Sequence, residues 1–305
     1  MEDLKRKLRK ELFVSPFDKS EQKDCIHFLK TGSSDAILIE SCGHFALVDA
    51  AEDNDNPRGF EELAFKGYEE EVLQYLKDNA RSGDGRVHLD FILGTHSHSD
   101  HIGGFDTIIL DDDVVIEKAF LKVYKEEQIR DKEITEWDNK EVYEQMVNAL
   151  NIRNIPIISE MNGEPFMLGN FKITLFNTVD INTEKVGEND NSLGVLVEKK
   201  GARIFLSGDI DNKSKDEERL APEIGEIDVL KVGHHSYRFS TEEKWLKTLR
   251  PKVCVVTNDY ERCDMNTFER IEKILSCPIL ITGVENGIVV AVDDEGKVEY
   301  YNEIM

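Results

Sequence analysis

Three imidazoles and a carboxylate fall within six residues in the run Thr95-His96-Ser97-His98-Ser99-Asp100-His101, which leads into Ile102-Gly103-Gly104. Neutral imidazole and carboxylate are the donors that a borderline divalent cation such as zinc takes. The alternate spacing lets His96 and His98 turn to one metal position, while Asp100 and His101 face a neighbouring one. A lone histidine would read as an ordinary polar residue. Four ligand-type side chains together, on a loop with a Gly-Gly exit, point to a metal site. Two later segments carry the same chemistry. Residues 202–207 lead to Gly208-Asp209, and residues 228–233 lead to His234-His235. One carboxylate after a glycine is a common turn pair; beside the histidines it becomes a natural bridge between two cations.

Each of these groups follows a short apolar run that reads as a buried strand. The first run is 89–93, closed by Gly94, and loops at the carboxyl ends of such strands are where α/β proteins place their sites. Upstream, residues 25–29, 36–40 and 45–49 read as a meander, with Asp49 ending the third strand, where it can orient a histidine or cap a turn. Residues 60–80 have helical periodicity, and Gly103 and Gly104 are expected to let the chain turn tightly into a further helix. Residues 166–176 read as a hairpin turning at 168–170. Strands and helices then alternate to the end, with helices expected at 142–150 and 267–275. The whole is an α/β chain of two meander-bearing sheets with helices outside, one domain of four layers. Residues 1–20 form an N-terminal arm whose helix, over 2–13, puts Leu4, Leu8 and Leu12 on one face before Pro16. Residues 21–305 are the domain itself, with an insertion at about 118–160.

The 62 acidic and 38 basic residues give a net charge of −24 over 305 residues. That charge repels nucleic-acid backbones and anionic membranes, so a small-molecule substrate is expected and a polynucleotide is disfavoured. No run reaches the apolar length needed to span a bilayer. The five cysteines, at 25, 42, 254, 263 and 277, are odd in number and scattered, and read as free thiols of a reducing, cytoplasmic compartment. Oligomeric state has no signature in the sequence.

The motif His96-x-His98-x-Asp100-His101, the later Asp209 and the late histidines resemble the metallo-β-lactamase superfamily. Within it, Asn189-Asp190-Asn191-Ser192-Leu193, Leu206-Ser207-Gly208-Asp209 and Leu230-Lys231-Val232-Gly233-His234-His235-Ser236 look like one branch. That branch contains the competence-protein DNA hydrolase domain and the phosphorylcholine esterase of teichoic acids. The resemblance covers roughly residues 25–292. It implies a four-layer αβ/βα sandwich of two mixed sheets holding two divalent ions, zinc ahead of manganese. By the same resemblance His96, His98 and His234 serve one ion, Asp100 and His101 the other, and Asp209 bridges. The chain departs from the commonest pattern in having no histidine in its middle third, where Asn189 to Ser192 stand instead. Asn189 and Ser192 therefore join the candidate substrate contacts.

The expected activity is metal-dependent hydrolysis of a phosphoester or phosphodiester. A water held by two cations has its pKa lowered from about 16 to about 7, which supplies hydroxide at neutral pH. Asp100 is expected to orient the nucleophile, and His235, with Ser236 or Tyr237 nearby, to protonate or stabilise the leaving oxygen. Trp137, Tyr124 and Tyr143 are candidates for the substrate entrance, where aromatic faces would suit a cationic headgroup. Two alternatives stand beside this one. The first is a hydrolase of the same fold acting on a lactone, thioester or other ester. The second is a non-catalytic metal-binding scaffold, which the histidine and carboxylate donors disfavour because structural zinc sites are closed and cysteine-rich.

Overall fold

The computed structural model describes residues 7–10, 12–18, 24–179 and 184–305. In chain order the strands of the first half are β1 (Val14–Pro16), β2 (Asp24–Phe28), β3 (Ala36–Ser41), β4 (His44–Ala50), β5 (Val87–Leu89), β6 (Phe91–Gly94), β7 (Val114–Ile116), β8 (Ala119–Leu121) and β9 (Ile157–Ile158). Those of the second half are β10 (Phe166–Leu168), β11 (Phe171–Phe176), β12 (Gly194–Lys199), β13 (Ala202–Leu206), β14 (Val229–Lys231), β15 (Val253–Val256), β16 (Ile279–Ile281), β17 (Ile288–Val292) and β18 (Val298–Asn302). Among the described residues one sheet runs β1-β18-β17-β2-β3-β4-β6-β8-β9 and the other β10-β11-β12-β13-β14-β15-β16, both with parallel and antiparallel pairs.

Three separate apolar layers make the four-layer αβ/βα sandwich that was expected. Ile26, Phe28, Ile37 and Ile39 from one sheet meet Phe171, Ile173, Val195 and Ile204 from the other. On the far side of the first sheet, Leu38, Leu47 and Ile92 pack on the helices α1 (Glu69–Asn79), α2 (Ser99–Ile102) and α3 (Phe105–Leu110). After α4 (Asp131–Glu136), the helix α5 (Asn139–Ile152) joins that layer through Val142, Met146 and Leu150. Beyond the second sheet, Phe205, Leu230 and Cys254 pack on α6 (Asp216–Ile224), α7 (Glu243–Leu249) and α8 (Met265–Ile274). Strands covered on both faces have no solvent face to keep polar, so they read as continuous apolar runs.

Several local expectations change in the folded chain. The run at 89–93 is two strands, not one. β5 pairs with β7 in a separate ribbon, while β6 enters the large sheet. The break is Asp90, whose carboxylate accepts from the backbone N–H of Phe45 and meets Nδ1 of His44 at 2.8 Å. The helix expected over 60–80 begins only at Glu69. Gly67 is pressed against the 53–54 backbone, where a Cβ would lie 2.2 Å from the Asp53 carbonyl carbon, and the chain must pass it before a helix can start. Segment 118–160 starts and ends in strands of the large sheet, β8 and β9, and carries α4 and α5 between them. Of the N-terminal helix, residues 1–6 and 11 lie outside the described residues; residues 7–9 are helical, and Arg9 pairs with Glu285.

Gly103 and Gly104 have ordinary right-handed φ of −54° and −70°, so they supply closeness and not a turn. A Cβ on Gly104 would lie 2.4 Å from the Ala50 carbonyl oxygen, and the Gly104 N–H donates to the Ala51 carbonyl at 3.0 Å. This contact draws the α2–α3 junction onto the end of β4. Gly104→Ala is expected to cost about 1–3 kcal/mol by forcing backbone apart, which urea unfolding followed by circular dichroism would measure.

Candidate metal centre

The ends of β4, β6, β13, β14 and β15 converge at one edge of the sandwich, and each delivers a polar side chain. β4 ends in Asp49, whose buried carboxylate accepts from the Thr95 backbone N–H and the Thr95 hydroxyl, each at 2.8 Å. The same carboxylate accepts from His101 Nδ1 at 2.7 Å. That bond fixes the tautomer, so Nε2 of neutral His101 carries a lone pair directed away from Asp49. From β14, His235 donates its Nδ1–H to the Thr257 carbonyl at 3.0 Å, at the end of β15. Its Nε2 also carries a lone pair. The two Nε2 atoms face each other at 3.1 Å, with Asp209 Oδ1 at 3.1 and 3.3 Å and Asp100 Oδ2 at 3.4 Å from His235.

A second pair repeats the arrangement. His98 gives its Nε2–H to Glu133 at 3.0 Å, leaving Nδ1 as the acceptor atom. His96 Nδ1 lies 3.1 Å from Thr95 Oγ1, whose own proton is committed to Asp49, so His96 presents Nε2 as a lone pair. That atom is 2.9 Å from His98 Nδ1. His96, His98 and Asp209 bring one donor atom each within 4.8 Å of one another, and so do Asp100, His101 and His235.

Facing lone pairs repel unless a proton or a cation lies between them. Two nitrogens each bound at 2.0–2.1 Å to a tetrahedral zinc are about 3.3 Å apart, close to the separations found here. Asp209 Oδ1 is buried with no hydrogen-bond partner, between the two histidine pairs. The donor set therefore fits two divalent ions sharing Asp209. Electrostatics agree with this. Burial opposes charge on His101, but Asp209, Asp49 and Asp100 outweigh it and hold the imidazole well above its ordinary pKa. Burial, aided by His101 and His98, pushes His96 well below its own. Burial would raise Asp209, yet the neighbouring histidines, His235 first, keep it well below the carboxylate range.

The supporting groups come from far along the chain. Asp209 N–H donates to Ser192 Oγ at 3.2 Å. Glu188 accepts from the Ser97 N–H at 2.9 Å, and Glu133 accepts from the Glu188 N–H at 2.8 Å. Fully buried Lys231 bonds Asp35 at 2.5 Å and the Gly208 carbonyl at 2.9 Å, and lies 3.8 Å from Asp209. Glu133, Glu188, Asp35 and Lys231 were not singled out from the sequence. Lys231 stands inside a quoted motif, but Glu133 sits in a charged helix that gives no local signal.

The two late histidines exchange the places expected of them. His235, foreseen as a substrate contact, is buried against His101, Asp100 and Asp209. His234, foreseen beside His96 and His98, lines the cavity, where its Nε2 lies 3.8 Å from Asp209 Oδ2 and accepts from Asn189 Nδ2 at 3.2 Å. The cause is a left-handed turn, with φ of 48°, 48° and 69° at His234, His235 and Ser236. Such conformations cost about 1–2 kcal/mol per residue. They are held by bonds from Asn258 Nδ2 to the His235 carbonyl at 2.9 Å and from the Asp264 N–H to the Ser236 carbonyl at 3.2 Å.

A cavity of about 340 Å³ opens beside His98, Asp100, Asp209 and His234. Trp137, Phe65, Tyr68 and Tyr237 supply aromatic surface, and Glu52, Lys66 and Arg262 its charges. Of the expected substrate contacts, Trp137 and Tyr237 line this cavity. Tyr124 and Tyr143 pair with each other at 6.0 Å instead, Ser192 anchors Asp209, and Ser236 is buried behind the turn.

Asp209, Asp49 and Asp100 favour a proton on His101 when no cation is bound, and a cation must displace it. Zinc affinity is expected to rise with pH through the neutral range, and binding to release protons. Calorimetric titrations in buffers of different ionisation enthalpy would measure both; a pH-independent affinity would contradict the site.

Residues 47–242, more than half of the chain, match the model of the beta-lactamase superfamily domain. The chain is 25% identical over 177 residues to ComE operon protein 3 of Bacillus subtilis, covering 57% of this chain and 20% of that protein. It is 30% identical over 120 residues to Recombination protein 2 of Haemophilus influenzae, covering 38% of this chain and 14% of that protein. The chain thus spans a small part of the curated relatives it matches. The metallo-beta-lactamase fold protein YhfI from Bacillus subtilis superimposes with a TM-score of 0.52 at 12% identity, over 90% of this chain and 98% of that one. With the family match and the sandwich in agreement, the chain belongs to the beta-lactamase superfamily and has the metallo-β-lactamase fold.

Proposed function

We propose that the protein is a hydrolase that uses two divalent cations, zinc ahead of manganese, to cleave a small phosphoester or phosphodiester. One observation carries the reading: two pairs of imidazole nitrogens flank the buried carboxylate of Asp209 at the wall of an open cavity. His96, His98 and Asp209 would hold one ion, and Asp100, His101 and His235 the other, with Asp209 shared. Cations bound there lower the pKa of water and offset charge on phosphoryl oxygens.

The chain's own residues do the rest. Asp49, Thr257 and Glu133 fix the tautomers of His101, His235 and His98, so that donor atoms need no rearrangement. His234, kept neutral because burial pulls its pKa down to about 4, stands at the cavity wall with Asn189 as a polar contact for substrate oxygens. Lys66 and Arg262 place positive charge in the same cavity of a chain with net charge −24, which suits an anionic ester. Trp137, 6.0 Å from the His98 ring, offers its face to an apolar or cationic substituent. The net charge favours a small substrate over a polynucleotide. The odd, scattered cysteines fit work in the cytoplasm.

Elemental analysis is expected to find two divalent ions per chain, and chelation to abolish turnover of phosphodiesters that readdition of zinc or manganese restores. Asp209→Asn should lower kcat by at least about 10³-fold, while a variant that turned over at the wild-type rate would defeat the reading. His235→Ala is expected to lose an ion, whereas His234→Ala keeps both and raises KM.

A further inference from the structure

Breaking a phosphoester leaves an alkoxide unless a proton reaches the departing oxygen, and a positioned acid typically contributes about 10²–10⁴-fold. His235, foreseen for that task, is buried among the candidate ligands and has given its Nδ1–H to the Thr257 carbonyl. His234 is a poor donor, since burial keeps it neutral. The Tyr237 hydroxyl is engaged with Ser33 Oγ at 2.8 Å. Glu52 is the carboxyl group that lines the cavity outside the candidate ligand set.

Glu52 lines the cavity beside His98, Ser99 and Asp100, and is only 7% exposed. Its Oε2 accepts from Ser99 Oγ at 3.1 Å, and no lysine, arginine or histidine among the described residues pairs with it. The carboxylates of Asp100, Asp53 and Asp138 act on it, while Lys66 and Arg262 line the same cavity without an ion pair to it among the described residues. Burial and like charge favour the neutral form of a carboxyl group that no cation pairs with. We propose that Glu52 is the general acid of the reaction, donating its carboxyl proton to the leaving oxygen. Burial first, then the Asp100 and Asp53 charges, push it up to about 9, which agrees with a protonated acid at neutral pH. The cations proposed nearby would draw that value down toward the working range of an acid catalyst.

Water attacks phosphorus, the bond from phosphorus to the leaving oxygen breaks with its electron pair going to that oxygen, and the Glu52 proton follows. The carboxylate that remains is reprotonated by the proton the attacking water gives up, so ester and water become alcohol and phosphate.

This inference rests on the phosphoester reading, and leaving-group dependence separates the two. The metal-loaded wild-type protein and Glu52→Gln would be assayed on a 4-nitrophenyl and an alkyl ester of the same phosphate, with metal content measured for both proteins. Glutamine keeps the shape and an acceptor for Ser99 but has no acidic proton. The alkyl ester is expected to lose about 10²–10⁴-fold in kcat, and the 4-nitrophenyl ester, whose phenolate departs unaided, at least tenfold less. In the wild type alone, kcat should depend weakly on leaving-group basicity across a series of esters. Equal losses on both esters, no loss on the alkyl ester, or a steep wild-type dependence would each overturn the acid role. A wild type inert toward every ester would sink the phosphoester reading itself.

Discussion

A carboxylate sealed from water at the end of a strand is the constraint on which the centre depends. Asp49 has no solvent contact, and burial raises its pKa, so its charge persists only through the protons aimed at it. Three come from two neighbouring segments: the Thr95 N–H, the Thr95 hydroxyl and the His101 Nδ1–H. Each bond also does something to its donor. The first ties the end of β6 to β4, the second turns the Thr95 oxygen into an acceptor for His96, and the third leaves His101 Nε2 facing Asp209. A hydrogen bond left unmade in so dry a place would cost about 1–3 kcal/mol, more for a charged group. Ligand orientation and local stability are therefore the same set of contacts.

The second half of the fold brings the complementary charge. Asp35, Asp100 and Asp209 gather around His101, His235 and Lys231, and Lys231 is fully buried among them. Buried charges survive when paired and hydrogen-bonded, and the lysine anchors Asp35 and the turn at Gly208 from beneath. Divalent ions would complete the pairing for Asp209 Oδ1, the oxygen left without a donor. Glu52, in the cavity wall, has the carboxylates of Asp100 and Asp53 near it, and its pKa rises through burial first.

Much of the fold was legible in the residues. The meander of β2, β3 and β4, the β10–β11 hairpin and the helix through Val142 and Leu150 all follow from local periodicity and turn residues. The motif around His96 stands out as a candidate metal site because four donors crowd one loop. Glu133 and Glu188 gave no such notice, since an acidic residue in an acidic chain looks like a solvated face until the fold sets it against His98 and Ser97. The break at Asp90 and the late start of α1 were likewise invisible, because each answers a neighbour distant in sequence.

What this sequence carried alone was a set of candidate donors and the architecture that holds them. Donor types, their spacing and the alternation of apolar runs are properties of residues that stand next to one another. Which way consecutive side chains look was decided only in three dimensions. His234 and His235 differ by one position and have the same chemistry. A left-handed turn, held by Asn258 and Asp264 from later in the chain, sends one to the cavity and the other into the cluster. Backbone strain of that kind is stable only when distant hydrogen bonds oppose it, and no local pattern in the chain records where they will come from.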